Sequence, residues 1–168
     1  MALTIDATVG GIATNSYVTV AETDAYHEEH LYGTAWTSAD AEKKKAAIIW
    51  ASKLLDDQVT WRGFKYNLDQ ALGWPRSNAF DRDNQFIDVD EIPKGVKRAA
   101  MEMARLLLES DRTAAAGTEG FSKIKVGSIE LAIDSNDRID VLPDHVLAML
   151  QEFVLRTAQD STARLLRV

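Results

Sequence analysis

Between Pro93 and Ser110, the apolar residues Val96, Ala99, Ala100, Met103, Leu106 and Leu107 recur at helical spacing. That pattern commits one long face of an α-helix to burial. Pro93 suits the first helical position, where its missing N–H would have no intrahelical partner anyway. A second stripe of Ala47, Trp50, Ala51, Leu54 and Leu55 predicts another amphipathic helix. Two such faces must be covered, which points to a mainly α fold: a small bundle of about four helices.

The remaining signals fill in that bundle. Thr19 and Glu22 form a capping-box pattern for a first helix running from Val20 to about Tyr32, with Gly33 as its stop. The second helix follows Trp36, with Thr37 as cap and Asp40 favouring the helix dipole. Lys43, Lys44 and Lys45 oppose that dipole, so they are read as serving solubility or an acidic neighbour. A fourth helix near Pro143 carries Val146, Met149, Leu150, Phe153 and Val154. Period-two alternation in 122–126 and 128–133, around Gly127, predicts one β-hairpin near 121–134. A lone hairpin is marginal in water, so it must pack on a helix or join a neighbour's sheet. Residues 59–92 hold Trp61, Phe64, Tyr66, Trp74, Phe80 and Phe86 and read as a long ordered loop with short strands. The domain plan is an extended N-terminal arm over 1–18, a helical domain over 19–157, and a C-terminal tail over 158–168.

Composition narrows the class. A chain of 168 residues, 46% hydrophobic, fits one domain with a substantial core. The absence of cysteine removes disulfides and thiolate metal sites. No secretory signal and no apolar run long enough for a bilayer is seen, so a cytoplasmic setting without membrane contact is expected. With 26 acidic and 19 basic side chains the net charge is -7, which disfavours a dedicated clamp on DNA phosphates.

Candidate chemistry is sparse. His27 and His30 are three apart, whereas a zincin helix needs four, and a solvated helix face is the preferred reading. Residues 81–84 and 134–137 resemble fragments of calcium loops but lack the glycine and closing glutamate, so ordinary turns are expected. Gly10-Gly11 precedes no lysine or helix start, and His145 has no nucleophile elbow beside it. No enzyme and no cofactor is expected. Trp61, Arg62, Phe64, Lys65, Tyr66, Trp74 and Arg76 could form a base-stacking platform with phosphate-binding charges. The preferred alternative packs Trp61 and Trp74 on the helices and pairs Arg62 and Arg76 with acidic neighbours. Arg164, Leu165, Leu166, Arg167 and Val168 read as a peptide that could insert into a partner.

Several segments together resemble a known family: 15–18 (Asn-Ser-Tyr-Val), 21–26, Trp61-Arg62-Gly63, 70–76 (ending Gly73-Trp74-Pro75-Arg76) and Ile92-Pro93. The chain is similar to small tailed-phage proteins labelled DnaT-like single-strand-DNA-binding proteins, whose plan resembles head–tail connectors (adaptors). The resemblance implies a structural virion protein in a ring, expected to be a dodecamer, under the phage portal. That ring would line the channel for passing genomic DNA without binding it specifically. Partners would be further copies of the chain, the portal protein, and the next tail-completion or tail-tube protein. Tyr17, Trp61, Arg62, Trp74, Pro75 and Arg76 become candidates for ring interface or loop anchor, and residues 164–168 for the portal or tail interface. The expected location is the virion head–tail interface, with assembly in the host cytoplasm. The alternative is a single-stranded-DNA-binding replication accessory protein.

Overall fold

Helix α4 (Lys94–Glu109) is the spine of the molecule, and α3 (Ala41–Gln58) packs along it. The computed structural model describes residues 2–114, 123–126, 129–132 and 140–157. Around the α3–α4 pair lie α1 (Val20–Glu28), the single turn α2 (Thr34–Thr37) and α5 (Asp144–Leu150). On α4, Val96, Ala99, Ala100, Met103 and Ala104 are fully buried. Small residues at positions 99, 100 and 104 let neighbouring helices approach closely, and Met103 fills the remaining gaps.

The fold is not the mainly α, four-helix bundle with one hairpin that the periodicity suggested. Five helices are joined by six strands in three separate antiparallel pairs among the described residues. Strand β1 (Val59–Trp61) continues directly from α3 and pairs with β6 (Val154–Thr157). Strand β2 (Phe64–Lys65) pairs with β3 (Arg76–Ser77), and β4 (Lys123–Val126) with β5 (Ile129–Ala132). The last pair is the expected hairpin, in a register that sets Val126 opposite Ile129. The other two pairs are two to four residues long, too short to show a period of two. In β1–β6 the partners lie far apart in sequence, so only tertiary contact reveals them.

Element ends also differ from expectation. Helix α1 stops at Glu28 rather than near Tyr32, and the chain turns through bonds from His30 N–H to His27 O and from Gly33 N–H to His30 O. Any side chain at Gly33 would collide with the His27 carbonyl, 2.7 Å from where a Cβ would stand. Asp40, not Thr37, caps α3: its carboxylate accepts the Lys43 N–H at 2.8 Å, while Thr37 lies inside α2. The buried face of α3 is turned toward Ile48, leaving Trp50 45% exposed. Pro93 is the N-cap of α4, one position before the helix proper. The fourth predicted helix ends at Leu150, because Phe153 turns into the core and Val154 opens β6.

The end of the N-terminal arm is drawn into the core. Thr14, Ser16, Tyr17 and Val18 are buried, and the Asn15 side chain accepts the Asp6 N–H and donates to the Thr4 carbonyl. The capping box at Thr19 and Glu22 is present, and Glu22 also pairs with Lys97 of α4 at 2.9 Å. Lys44 crosses to Asp24 of α1 at 2.8 Å and lies over the Trp36 ring. Lys43 and Lys45 pair with Asp40 and Glu42 on their own helix.

His27 is not on a solvated face. It is buried against Trp36 and Tyr26, and its Nε2 lies 3.1 Å from the Met101 carbonyl. That contact assigns the proton to Nε2, so Nδ1 is the bare nitrogen, buried without a partner among the described residues. Burial lowers the His27 pKa below 6.5, although the Met101 bond and Glu102 oppose the shift. Between the depressed folded value and 6.5 the unfolded chain binds the extra proton, so stability falls as pH drops through that window. The slope per proton has a ceiling of about 1.4 kcal/mol per pH unit. Urea titrations from pH 7 to 5 should show a steeper loss in the wild type than in His27→Gln. Equal slopes would assign the acid sensitivity elsewhere.

Candidate functional site

Three of the segments that carry the family resemblance, 15–18, 61–63 and 70–76, meet in one place. Asp56, on the last turn of α3, is the centre. Its Oδ1 accepts the Tyr17 hydroxyl and the Trp61 indole N–H at 2.8 Å, and its Oδ2 accepts the Gly73 N–H at 2.7 Å. Ser52, one turn earlier on α3, accepts the Tyr17 N–H at 3.1 Å. Burial raises the Asp56 pKa despite the hydrogen bonds that favour its charged form. Burial likewise pushes the Tyr17 phenol up, helped by the adjacent carboxylate, so Tyr17 stays a neutral donor.

Arg76 closes the knot from the other side. Its guanidinium donates to the carbonyls of Arg62 at 2.6 Å, Gly73 at 3.0 Å and Gly63 at 2.7 Å. Gly63 has φ 71°, and a Cβ there would stand 2.3 Å from the Ser77 carbonyl, so the β2–β3 crossing admits only glycine. Gln70 is buried and bonds the Leu72 and Pro75 carbonyls, and the Trp74–Pro75 peptide between them is cis. Trp61, Trp74 and Phe153 stack edge to face in sequence.

This arrangement takes the two tryptophans of the aromatic loop out of solvent. Trp74 is 1% exposed and Trp61 6%, so neither presents a face to a base. Tyr17 and Pro75 are buried with them. The expected pairing of Arg62 and Arg76 with acidic side chains is not what holds them. Arg76 serves backbone carbonyls, and Arg62, which is exposed, donates to the Val154 carbonyl at 3.1 Å. Residues 164–168 lie outside the described residues. Asp56 and Ser52 escaped the sequence reading, although a carboxylate between Leu55 and Val59 on an apolar helix face was a usable signal.

A second buried polar centre ties α1 to α4. Glu102, 2% exposed, accepts from the Tyr26 hydroxyl at 3.0 Å and from Arg105 Nε at 3.1 Å, and its Oε1 lies 3.1 Å from His30 Nε2. Burial, then the Glu102 charge, raises the Tyr26 pKa to about 12. Arg105 also reaches Glu109 at 2.6 Å. The charges are mutually satisfied, and no group of side chains suited to a metal ion occurs among the described residues. A cleft of about 370 Å³ beside the start of α4 mixes Arg82, Lys94 and Arg98 with Asp81, Asp83 and Glu152, so no single ligand charge is favoured. No described helix is long and apolar enough to cross a membrane.

What the molecule does offer is exposed aromatic surface. Phe64 is 70% and Tyr66 58% exposed, one on β2 and one at the bend that follows it, with Leu68 in the turn beyond. Phe80 and Phe86 form a second exposed pair, bridged backbone to backbone and stacked edge to face at 5.8 Å. Asp81 builds the turn between them by accepting the N–H groups of Asp83 and Gln85, which makes 81–84 the ordinary turn expected.

No curated protein and no solved structure matches this chain. A family model described as "Putative DnaT-like ssDNA binding protein" matches residues 1–168, its full length. The motifs at Tyr17, Trp61, Gly73 and Trp74 build the buried knot of this chain, and the chain belongs to that DnaT-like family.

Proposed function

We propose that this chain is a structural, non-enzymatic assembly protein: a head–tail connector that forms a ring under a phage portal. The observation that carries the reading is the set of large apolar side chains left in solvent, above all Phe64, Tyr66 and Leu68. Exposed apolar clusters of this kind mark protein contacts. The tryptophans that would have suited base stacking are buried instead. A net charge of -7 suits a channel wall that DNA slides past rather than sticks to.

The test is co-sedimentation with the cognate portal ring, comparing the full chain with a version ending at Ala158. Binding that requires the last ten residues supports the connector reading and puts the portal contact within 159–168, the stretch that holds Arg164, Leu165, Leu166, Arg167 and Val168. Absence of binding by either form sinks it.

A second reading has two supports. Phe64 and Tyr66 alternate with Lys65 and follow Arg62, so a stacking platform with cations could sit on β2 rather than on the tryptophans. The description of the matched family points the same way. Salt-sensitive binding of oligo(dT), lost in Phe64→Ala and Tyr66→Ala, together with no portal binding, would promote it.

A further inference from the structure

The two exposed aromatic surfaces carry opposite charge. Residues 62–77 contain Arg62, Lys65 and Arg76 against the single acid Asp69. Residues 80–91 contain Asp81, Asp83, Asp88, Asp90 and Glu91 against the single base Arg82. Part of this charge is balanced within the chain: Lys65 and Arg76 interact with the Asp56 carboxylate, and Lys94 and Arg98 share a cleft with Asp81 and Asp83. Arg62 and Lys65 bond only backbone carbonyls, and the one ion pair of the acidic stretch among the described residues is Arg82 to Glu152, at 3.8 Å. Phe64 and Tyr66 stand on the basic surface, Phe80 and Phe86 on the acidic one.

We propose that copies of the chain associate through these surfaces, the basic aromatic hairpin β2–β3 of one copy docking on the acidic aromatic turn 80–91 of another. Two negatively charged copies repel at long range, so a stable contact needs local complementarity that overrides the net charge. An apolar centre with a charged rim is also the usual anatomy of a protein interface. Because the two surfaces differ, the contact can repeat head to tail and generate a closed ring or an open filament. The proposal rests on the connector reading, to which it adds the subunit contact.

Two charge-reversed variants test it, Arg62→Glu with Lys65→Glu, and Asp88→Lys with Asp90→Lys. All four positions are exposed or half-buried surface sites, and circular dichroism checks that each variant is folded. Sedimentation velocity of the wild type should show concentration-dependent self-association, weakened about tenfold or more in each variant. Mixing the variants leaves one matched pair of surfaces, so a 1:1 complex should form that neither makes alone. A monomeric wild type, or variants that associate as well as it does, would overturn the proposal. Loss of oligo(dT) binding in Phe64→Ala with self-association intact would also overturn it, by assigning the hairpin to DNA. Portal binding separates the two claims. Binding without charge-dependent self-association removes this contact and leaves the connector reading, and the reverse result does the opposite.

Discussion

Asp56→Ala is expected to cost about 3–6 kcal/mol of folding stability, because three donors lose their acceptor at once. The Tyr17 hydroxyl, the Trp61 indole and the Gly73 amide all point at this one carboxylate, from three separate segments. Each buried donor left unpaired costs about 1–3 kcal/mol, and a domain of this kind holds only about 5–15 kcal/mol in total. Urea unfolding followed by tryptophan fluorescence measures the loss directly. Asp56→Asn should lose less, about 1–2 kcal/mol. Its amide oxygen can still serve Tyr17 and Trp61, while its NH2 group faces the Gly73 N–H, donor against donor. The pH dependence gives a second check with a definite sign. Because the folded pKa of Asp56 is raised above 3.8, the folded state holds the proton more tightly than the unfolded chain. Stability therefore falls as pH rises from 3.8 through the folded value, and Asp56→Asn should abolish that component. A loss below about 1 kcal/mol in Asp56→Ala would mean that water re-satisfies the donors.

Glu102→Ala should be comparably damaging, about 3–5 kcal/mol, for a different reason. It strands the Arg105 guanidinium, 9% exposed, with only Glu109 as a charge partner, and it leaves Tyr26 and His30 facing the gap. Removing one member of a buried ion pair costs more than removing both. The double variant Glu102→Leu with Arg105→Leu should therefore lose clearly less than the sum of the two single changes in the same urea experiment. Additive losses would show that the charges act independently, and that Glu102 matters only for the volume it fills.

Much of the helical frame was readable from the amino-acid order. The Val96–Leu107 stripe gives α4, and Thr19 with Glu22 gives the start of α1, because capping and amphipathic period are local properties. The aromatic density of residues 59–92 marked that stretch as ordered, and Trp61 and Trp74 are buried in it. The pairing of β1 with β6 was not readable. Val59 meets Thr157 across most of the chain, and a three-residue strand leaves no periodic trace. Trp50 and Ile48 both fit a helical stripe, and only the helices that pack beside α3 select Ile48.

The candidate surfaces divide the same way. Sequence alone determined which residues could form a basic aromatic stretch and which an acidic one, since charge and side-chain type are written directly in the chain. Only the tertiary structure decided which aromatics face outward. The Asp56 carboxylate draws Tyr17, Trp61 and Gly73 inward, and Trp74 packs between Trp61 and Phe153. Phe64, Tyr66, Phe80 and Phe86 are left in solvent because that core is already filled, and close packing has no room for them.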